Sequence, residues 1–273
     1  MSAKNYDRLA ACFALCKEEE RAALIGFLTG GDPDLDTSRR ALHALAKEVD
    51  ILEIGMPFSD PMADGPVIQA ASERALKAGT RMQDVFALCA EIRAEHADLG
   101  IVLMGYGNTP YVMGYARFAE RAQAAGADGV LIVDIPSEES AEFDHIMHAH
   151  SLHTIRLLSP TSSEARIELA AASASGFIYY VSLTGITGAA MGALDQVRQQ
   201  VETIRRHTEL PICVGFGIKS QQQAAAVAEF ADGVVVGSHF VTQLTTANSA
   251  EERLAALAFA ARSMREAITG GVA

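Results

Sequence analysis

The stretch Asp50-Ile51-Leu52-Glu53-Ile54-Gly55-Met56-Pro57-Phe58-Ser59-Asp60-Pro61-Met62-Ala63-Asp64-Gly65-Pro66 holds, in order, a short apolar run, a loop dense in turn formers and the start of a helical pattern. Alternate side chains of a β-strand share a face, so Ile51 and Glu53 fall on one side and Leu52 and Ile54 on the other. Both faces otherwise read as buried, the pattern of a parallel strand covered by helices. A carboxylate held in such a strand must be neutralised, paired or used. The loop beyond it carries a second isolated carboxylate, Asp64, just before helical positions 67–71. One buried acid and one loop acid suggest proton-transfer chemistry. Simpler readings compete: Glu53 paired with a buried base, Asp64 capping the helix ahead of Pro66, and Asp60 serving only as a turn residue before Pro61.

The same unit recurs along the chain. Apolar, β-prone runs fall at 24–28, 51–54, 101–104, 130–133, 155–158, 177–181, 212–214 and 234–236. Helical patterns separate them, at 37–47, 67–77, 85–96, 115–125, 141–150, 165–172, 197–207 and 221–230. Thr161-Ser162-Ser163-Glu164 and Ser220-Gln221-Gln222-Gln223 fit capping boxes, and Gly79 and Gly126 sit where helices end. Eight such βα units in 273 residues predict an α/β fold, a closed (β/α)8 TIM barrel, with residues 4–23 forming an extra N-terminal helix. No linker-like tract interrupts the alternation, so 1–273 is expected to be a single domain. The alternative, an open doubly wound sheet, lacks a GxGxxG or P-loop signal after its first strand. Arg156, inside a predicted strand, either snorkels outward or pairs with an acid.

A net charge of −12 argues against nucleic acid or an anionic membrane surface as the main partner, so a phosphorylated ligand would need local donors. No apolar run approaches a membrane span and the N-terminus lacks a signal-peptide core, which points to the cytoplasm. Cys12, Cys16, Cys89 and Cys213 form neither a CxxC pair nor a disulfide framework and read as reduced structural thiols. His145, His148, His150 and His153 cluster in sequence without an HExxH context, so no metal is expected there or elsewhere.

A barrel puts its chemistry at the C-terminal ends of the strands, where Glu53 and the Asp64 loop fall, and commonly a phosphate site after strands seven and eight. There the chain reads Gly215-Phe216-Gly217-Ile218-Lys219 and Gly237-Ser238, glycines that let backbone N–H groups approach an anion or that merely make tight turns. The small, polar segment 184–192 suits a mobile lid, or is simply a long loop.

Residues 53–69 closely resemble the signature of the tryptophan synthase alpha chain family. Further matches follow in order: Phe27-Leu28-Thr29-Gly30-Gly31-Asp32-Pro33, Asp134-Ile135-Pro136, the run from Tyr179 through Thr187 to Gly188, Gly215-Phe216-Gly217-Ile218 and Gly237-Ser238. The resemblance implies a (β/α)8 barrel and a lyase of tryptophan biosynthesis, cleaving indole-3-glycerol phosphate to indole and glyceraldehyde 3-phosphate by a retro-aldol reaction. It makes Glu53 the general acid/base and Asp64 the carboxylate that stabilises charge at the indole nitrogen. Phe27, Tyr179 and Phe216 fall at substrate-binding positions, Thr187 at the lid, and Gly188, Gly217, Gly237 and Ser238 at the phosphate cradle. It also implies a beta chain as partner in an alpha2beta2 assembly, with Pro57, Asp60 and Asn108 at the interface. Pyridoxal phosphate belongs to that beta chain, and no cofactor is expected in this one. Gly26 stands where proline is frequent and Ala190 where a charged residue is common. A stand-alone indole-3-glycerol-phosphate lyase is the alternative, as is a non-catalytic barrel that only activates a beta chain, against which the presence of both Glu53 and Asp64 counts.

Overall fold

Eight parallel strands close in chain order: β1 (Ala23–Thr29), β2 (Ile51–Gly55), β3 (Gly100–Gly105), β4 (Gly129–Ile132), β5 (His153–Leu158), β6 (Ile178–Val181), β7 (Ile212–Gly215) and β8 (Gly233–Val236), which pairs back onto β1. The computed structural model describes residues 6–181, 191–215, 217–246 and 249–270. The period-two pattern sorts each strand between two cores. Ile25, Ile51, Val102, Leu131, Ile155 and Cys213 fill the barrel interior, while Leu24, Leu52, Ile54, Leu103, Val214 and Val234 pack outward against the helices. In this register Glu53 lies beside Phe27 of β1 and Val102 of β3.

The extra N-terminal helix runs over Arg8–Glu18, shorter than the 4–23 expected, because Asp7 caps it by accepting from the Ala10 N–H at 3.0 Å. Its Leu9 and Phe13 join the interior cluster, with the Phe13 ring edge-on to Phe177 at 5.8 Å, so the helix stoppers the N-terminal mouth of the barrel. Each predicted helical pattern is a helix, and among the described residues three further α-helices, Asn108–Met113, Ser238–Thr246 and Ala250–Ile268, and a 3-10 turn, Ser137–Glu139, go beyond the expected pattern. The capping box at Ser220 and Gln223 is present. The one expected at Thr161 is not: the helix Glu164–Ser173 is capped by Ser163, whose hydroxyl accepts from the Arg166 N–H, while the chain at Thr161 is still turning. Gly26 faces the helices, where a Cβ would come within 2.8 Å of Val49 Cγ1, so those neighbours occupy the space a larger residue needs. Among the described residues, no helix is long and apolar enough to cross a membrane.

Arg156 pairs rather than snorkels. It points from β5 into the helical layer, where Asp144 of the helix Ala141–Ala149 accepts from its guanidinium through both carboxylate oxygens, joined by Ser140 Oγ at 2.7 Å and Ser173 Oγ at 3.2 Å. Both charges are nearly inaccessible to solvent. Removing one partner leaves the other charge buried and unpaired. Asp144→Ala is therefore expected to destabilise the fold by roughly 3–5 kcal/mol, and Arg156→Met with Asp144→Leu to recover most of that. Urea unfolding of the two variants checks it: equal losses in the single and the double change would remove the unpaired charge as the cause.

Candidate active site

Glu53 is completely buried on the inner face of β2, two residues before the strand ends. Neither carboxylate oxygen has a hydrogen-bond partner among the described residues. Burial pushes its pKa up to about 8, with no cation beside it among the described residues, so the carboxyl carries a proton at neutral pH. A buried acid in this state can give up a proton to a bound molecule and take one back.

Asp64 is no helix cap. The N-cap of Pro66–Lys77 is Gly65, without a side-chain bond, and Pro66 opens the first turn. The Asp64 carboxylate instead accepts from the Tyr106 hydroxyl at 3.0 Å, and that hydroxyl accepts in turn from the Ala63 N–H at 3.0 Å. Burial raises the Asp64 pKa and the tyrosine bond opposes the rise. Tyr106 follows β3 and is buried, its ring stacked on Phe58 with centroids 5.1 Å apart. Next to it, the Gly107 N–H donates to Asp134 at 2.6 Å, tying this turn to the loop after β4. Tyr106 thus fixes the Asp64 loop from a neighbouring strand end.

Two glycines at strand ends admit two aromatic rings beside Glu53. A Cβ on Gly55 would lie 2.6 Å from Phe27 Cζ, and one on Gly215 would lie 2.5 Å from Tyr179 Oη. Tyr179 is buried, and both burial and the neighbouring Glu53 hold its phenol protonated. Phe27, Thr29, Asp64, Ile68, Met104 and Tyr106 line a cleft of only about 10 Å3 among the described residues. A larger hollow, about 620 Å3, lies at the opposite end of the barrel between Arg8, Asp128, His148 and His153, far from these acids. We place the candidate site at the small cleft, because Asp64 lines it together with Phe27, the strand neighbour of Glu53, and Gly55, two residues along β2 from Glu53.

Of the remaining predicted residues, Gly217 follows β7 with φ +82°, and Gly237 follows β8 directly before Ser238, which opens the helix Ser238–Thr246. A Cβ on Gly237 would make only ordinary contacts, 3.5 Å to Phe27, so packing does not demand glycine there. Asp60 is exposed and Pro57 half-buried in the loop after β2, and Asn108, also exposed, opens the helix Asn108–Met113 beyond the C-terminal end of β3. Thr187, Gly188, Phe216 and Ala190 lie outside the described residues; so does the expected lid up to residue 190, while its last two residues open the helix Met191–Arg205. The histidine cluster disperses: His148 Nε2 meets Ser175 and Thr154 hydroxyls, His150 Nδ1 the Ile146 carbonyl, and His153 Nε2 Asp7 at 3.1 Å. All four cysteines are free.

The sequence profile of the tryptophan synthase alpha chain matches residues 13–269. The chain belongs to the tryptophan synthase alpha chain family. It is 50% identical over 245 residues to the tryptophan synthase alpha chain of Thiobacillus denitrificans, covering 89% of this chain and 90% of the relative. Identity to the alpha chain of Laribacter hongkongensis is 47% over 253 residues, covering 92% and 96%. The crystal structure of tryptophan synthase subunit alpha from Legionella pneumophila is 38% identical with a TM-score of 0.90, over 97% of this chain and 99% of that one. In this member of the tryptophan synthase alpha chain family, Tyr106 is a residue of the candidate site that the sequence pattern did not single out. Its one signal was position, between two glycines directly after the third apolar run.

Proposed function

We propose that this chain cleaves indole-3-glycerol phosphate to indole and glyceraldehyde 3-phosphate, as the lyase subunit of a cytoplasmic tryptophan synthase. The observation that carries the reading is Glu53, a fully buried carboxyl on the inner face of β2 with both oxygens unpartnered among the described residues. An indole is a poor leaving group until its ring carbon is protonated. The Glu53 carboxyl donates that proton, the carbon–carbon bond breaks with its electron pair going to the indole, and the glycerol hydroxyl becomes the aldehyde carbonyl as its proton returns to Glu53. The protonated ring carries positive charge at nitrogen, and the Asp64 carboxylate, held by Tyr106, is the anion for it. The phenyl face of Phe27 and the buried Tyr179 supply apolar walls that exclude water. Gly217, with its positive φ, Gly237, which packing does not require to be glycine, and the N-terminus of Ser238–Thr246 suit the phosphate.

Asp64→Asn keeps the size of the side chain and removes its charge. It is expected to lower kcat by roughly 10²–10³-fold, the scale of losing one electrostatic contact to a developing charge, with the melting temperature unchanged. A fully active Asn variant would leave Asp64 no part in the chemistry.

For the partner, support comes from the same end of the barrel. Met62, Tyr111 and Val112 are large, exposed and apolar, near Asp60 and Asn108, which suits a protein surface more than water. We propose a beta chain there, in an alpha2beta2 assembly, with pyridoxal phosphate held by the beta chain and this chain's own residues doing acid–base chemistry only. A beta chain that favours the ordered Asp64 loop must, by linkage, bind more tightly when substrate is present. Cleavage is measured for the chain alone, with a cognate beta chain, and with Asp60→Ala; the absence of tryptophan leaves indole fluorescence free of that background. Strong stimulation, weakened by Asp60→Ala, is the expected result. Full activity alone, unresponsive to the beta chain, would favour the stand-alone lyase.

A further inference from the structure

Away from the barrel mouth, the helices Leu35–Ala46 and Met82–Glu95 pack side by side with matching rungs. Arg39 meets Glu91 at 2.7 Å, and one turn further on His43 Nδ1 lies 3.1 Å from Glu95 Oε2. The second rung is not an ordinary pair. His43 Nδ1 is buried yet makes no hydrogen bond of acceptable geometry with any described residue, and the same is true of His96 Nε2, from the residue that ends the second helix. The two imidazole rings face across 6.2 Å between centroids, and ligand atoms of His43, Glu95 and His96 all lie within 4.8 Å of one another. A buried ring nitrogen without a partner carries a desolvation cost. Two of them converging with a carboxylate form a donor set for a soft or borderline cation.

We propose that His43, Glu95 and His96 bind a divalent transition-metal ion of the Zn2+ type, which clamps the end of the helix Met82–Glu95 to the helix Leu35–Ala46. Two imidazoles select zinc, cobalt or nickel over magnesium and calcium, which take oxygen ligands. With metal–nitrogen distances near 2.0–2.1 Å, tetrahedral ligands sit about 3.4 Å apart, so closing the site takes on the order of 1 Å of side-chain rotation. Glu95 is on the exposed side, which leaves the fourth position to water. Arg93, the nearest strong cation in sequence, is turned away onto Asp128 at 2.6 Å and onto the carbonyls of His96, Ala97 and Gly126. The site lies on the helical layer and is independent of the acids in the barrel.

Tag-free full-length protein is titrated with Zn2+ and with Mg2+ by calorimetry, and with Co2+ by visible absorption. The expected result is one Zn2+ per chain, no response to Mg2+, and a melting temperature that rises with Zn2+. His43→Gln and His96→Gln should each weaken binding at least ~10–100-fold, since loss of a ligand costs no less than loss of an outer-shell partner. Both should abolish the Co2+ bands. Glu95→Gln changes an exposed side chain and gives a third variant whose folding is secure; it should weaken Zn2+ binding while leaving the metal-free melting temperature as it was. Failure of the wild-type protein to take up one Zn2+, or equal uptake by the His43→Gln/His96→Gln double variant, as a free thiol such as Cys12 would give, overturns the proposal.

Discussion

Glu53→Gln is expected to fold and to bind phosphorylated substrate analogues, yet to cleave indole-3-glycerol phosphate with kcat lowered by roughly 10²–10⁴-fold. The substitution isolates the proton. At neutral pH the buried carboxyl is already protonated, so the amide matches it in shape, in charge and in having one donor face. It differs in that it can neither release a proton to the ring carbon nor accept one from the hydroxyl. Because the shared features govern binding and the missing one governs bond cleavage, the loss should fall on kcat with KM little changed. Single-turnover cleavage beside substrate-analogue binding makes the separation. Near-normal turnover in the folded variant would remove Glu53 from the chemistry, and with it the main support for the proposed reaction.

The position of that acid was legible because a strand buried on both faces has no ordinary place for a carboxylate. The same alternation that sorted Leu52 and Ile54 outward put Glu53 inward, and eight repeats of that pattern were enough for the barrel. What stayed hidden lacked a period. The helix Ala250–Ile268 buries small alanines along with Leu257 and Met264, so its apolar stripe contrasts weakly with the rest of its surface. The helix Asn108–Met113 is under two turns, too short to show a stripe at all. Tyr106 is a single residue whose role depends on a loop reaching it from another strand. Asp64 was ambiguous for the opposite reason: its place before Gly65-Pro66 fits a helix cap, and only the direction of its side chain, toward Tyr106, separates the two readings. The triad of His43, Glu95 and His96 draws on helices separated by a whole βα unit, so no local spacing could mark it.

The same Glu53→Gln change should act on stability with the opposite sign, and by an amount that depends on pH. Glu53 has a pKa of about 8 in the folded chain against an ordinary value of 4.5, because burial disfavours its charged form. For an acid raised in this way, the folded state holds the proton more tightly than the unfolded state. The contribution of Glu53 to stability is therefore fully present below pH ~4.5, is lost progressively as pH rises toward 8, and levels off above. At about 1.4 kcal/mol for each pH unit of displacement, the loss across that window is on the order of 3–5 kcal/mol. Glutamine does not titrate. The stability of Glu53→Gln minus that of wild type should thus be small at pH 5 and grow to roughly 3–5 kcal/mol by pH 9, with the other titrating groups cancelling in the difference. Paired urea unfolding from pH 5 to pH 9 measures it. A difference that stays flat would mean that Glu53 ionises as an ordinary carboxylate, and an ordinary carboxylate has no proton to give an indole at neutral pH. A rising difference would identify the destabilising charge and the proposed acid as one group, so that a site which weakens the fold is retained for what its proton does to the substrate.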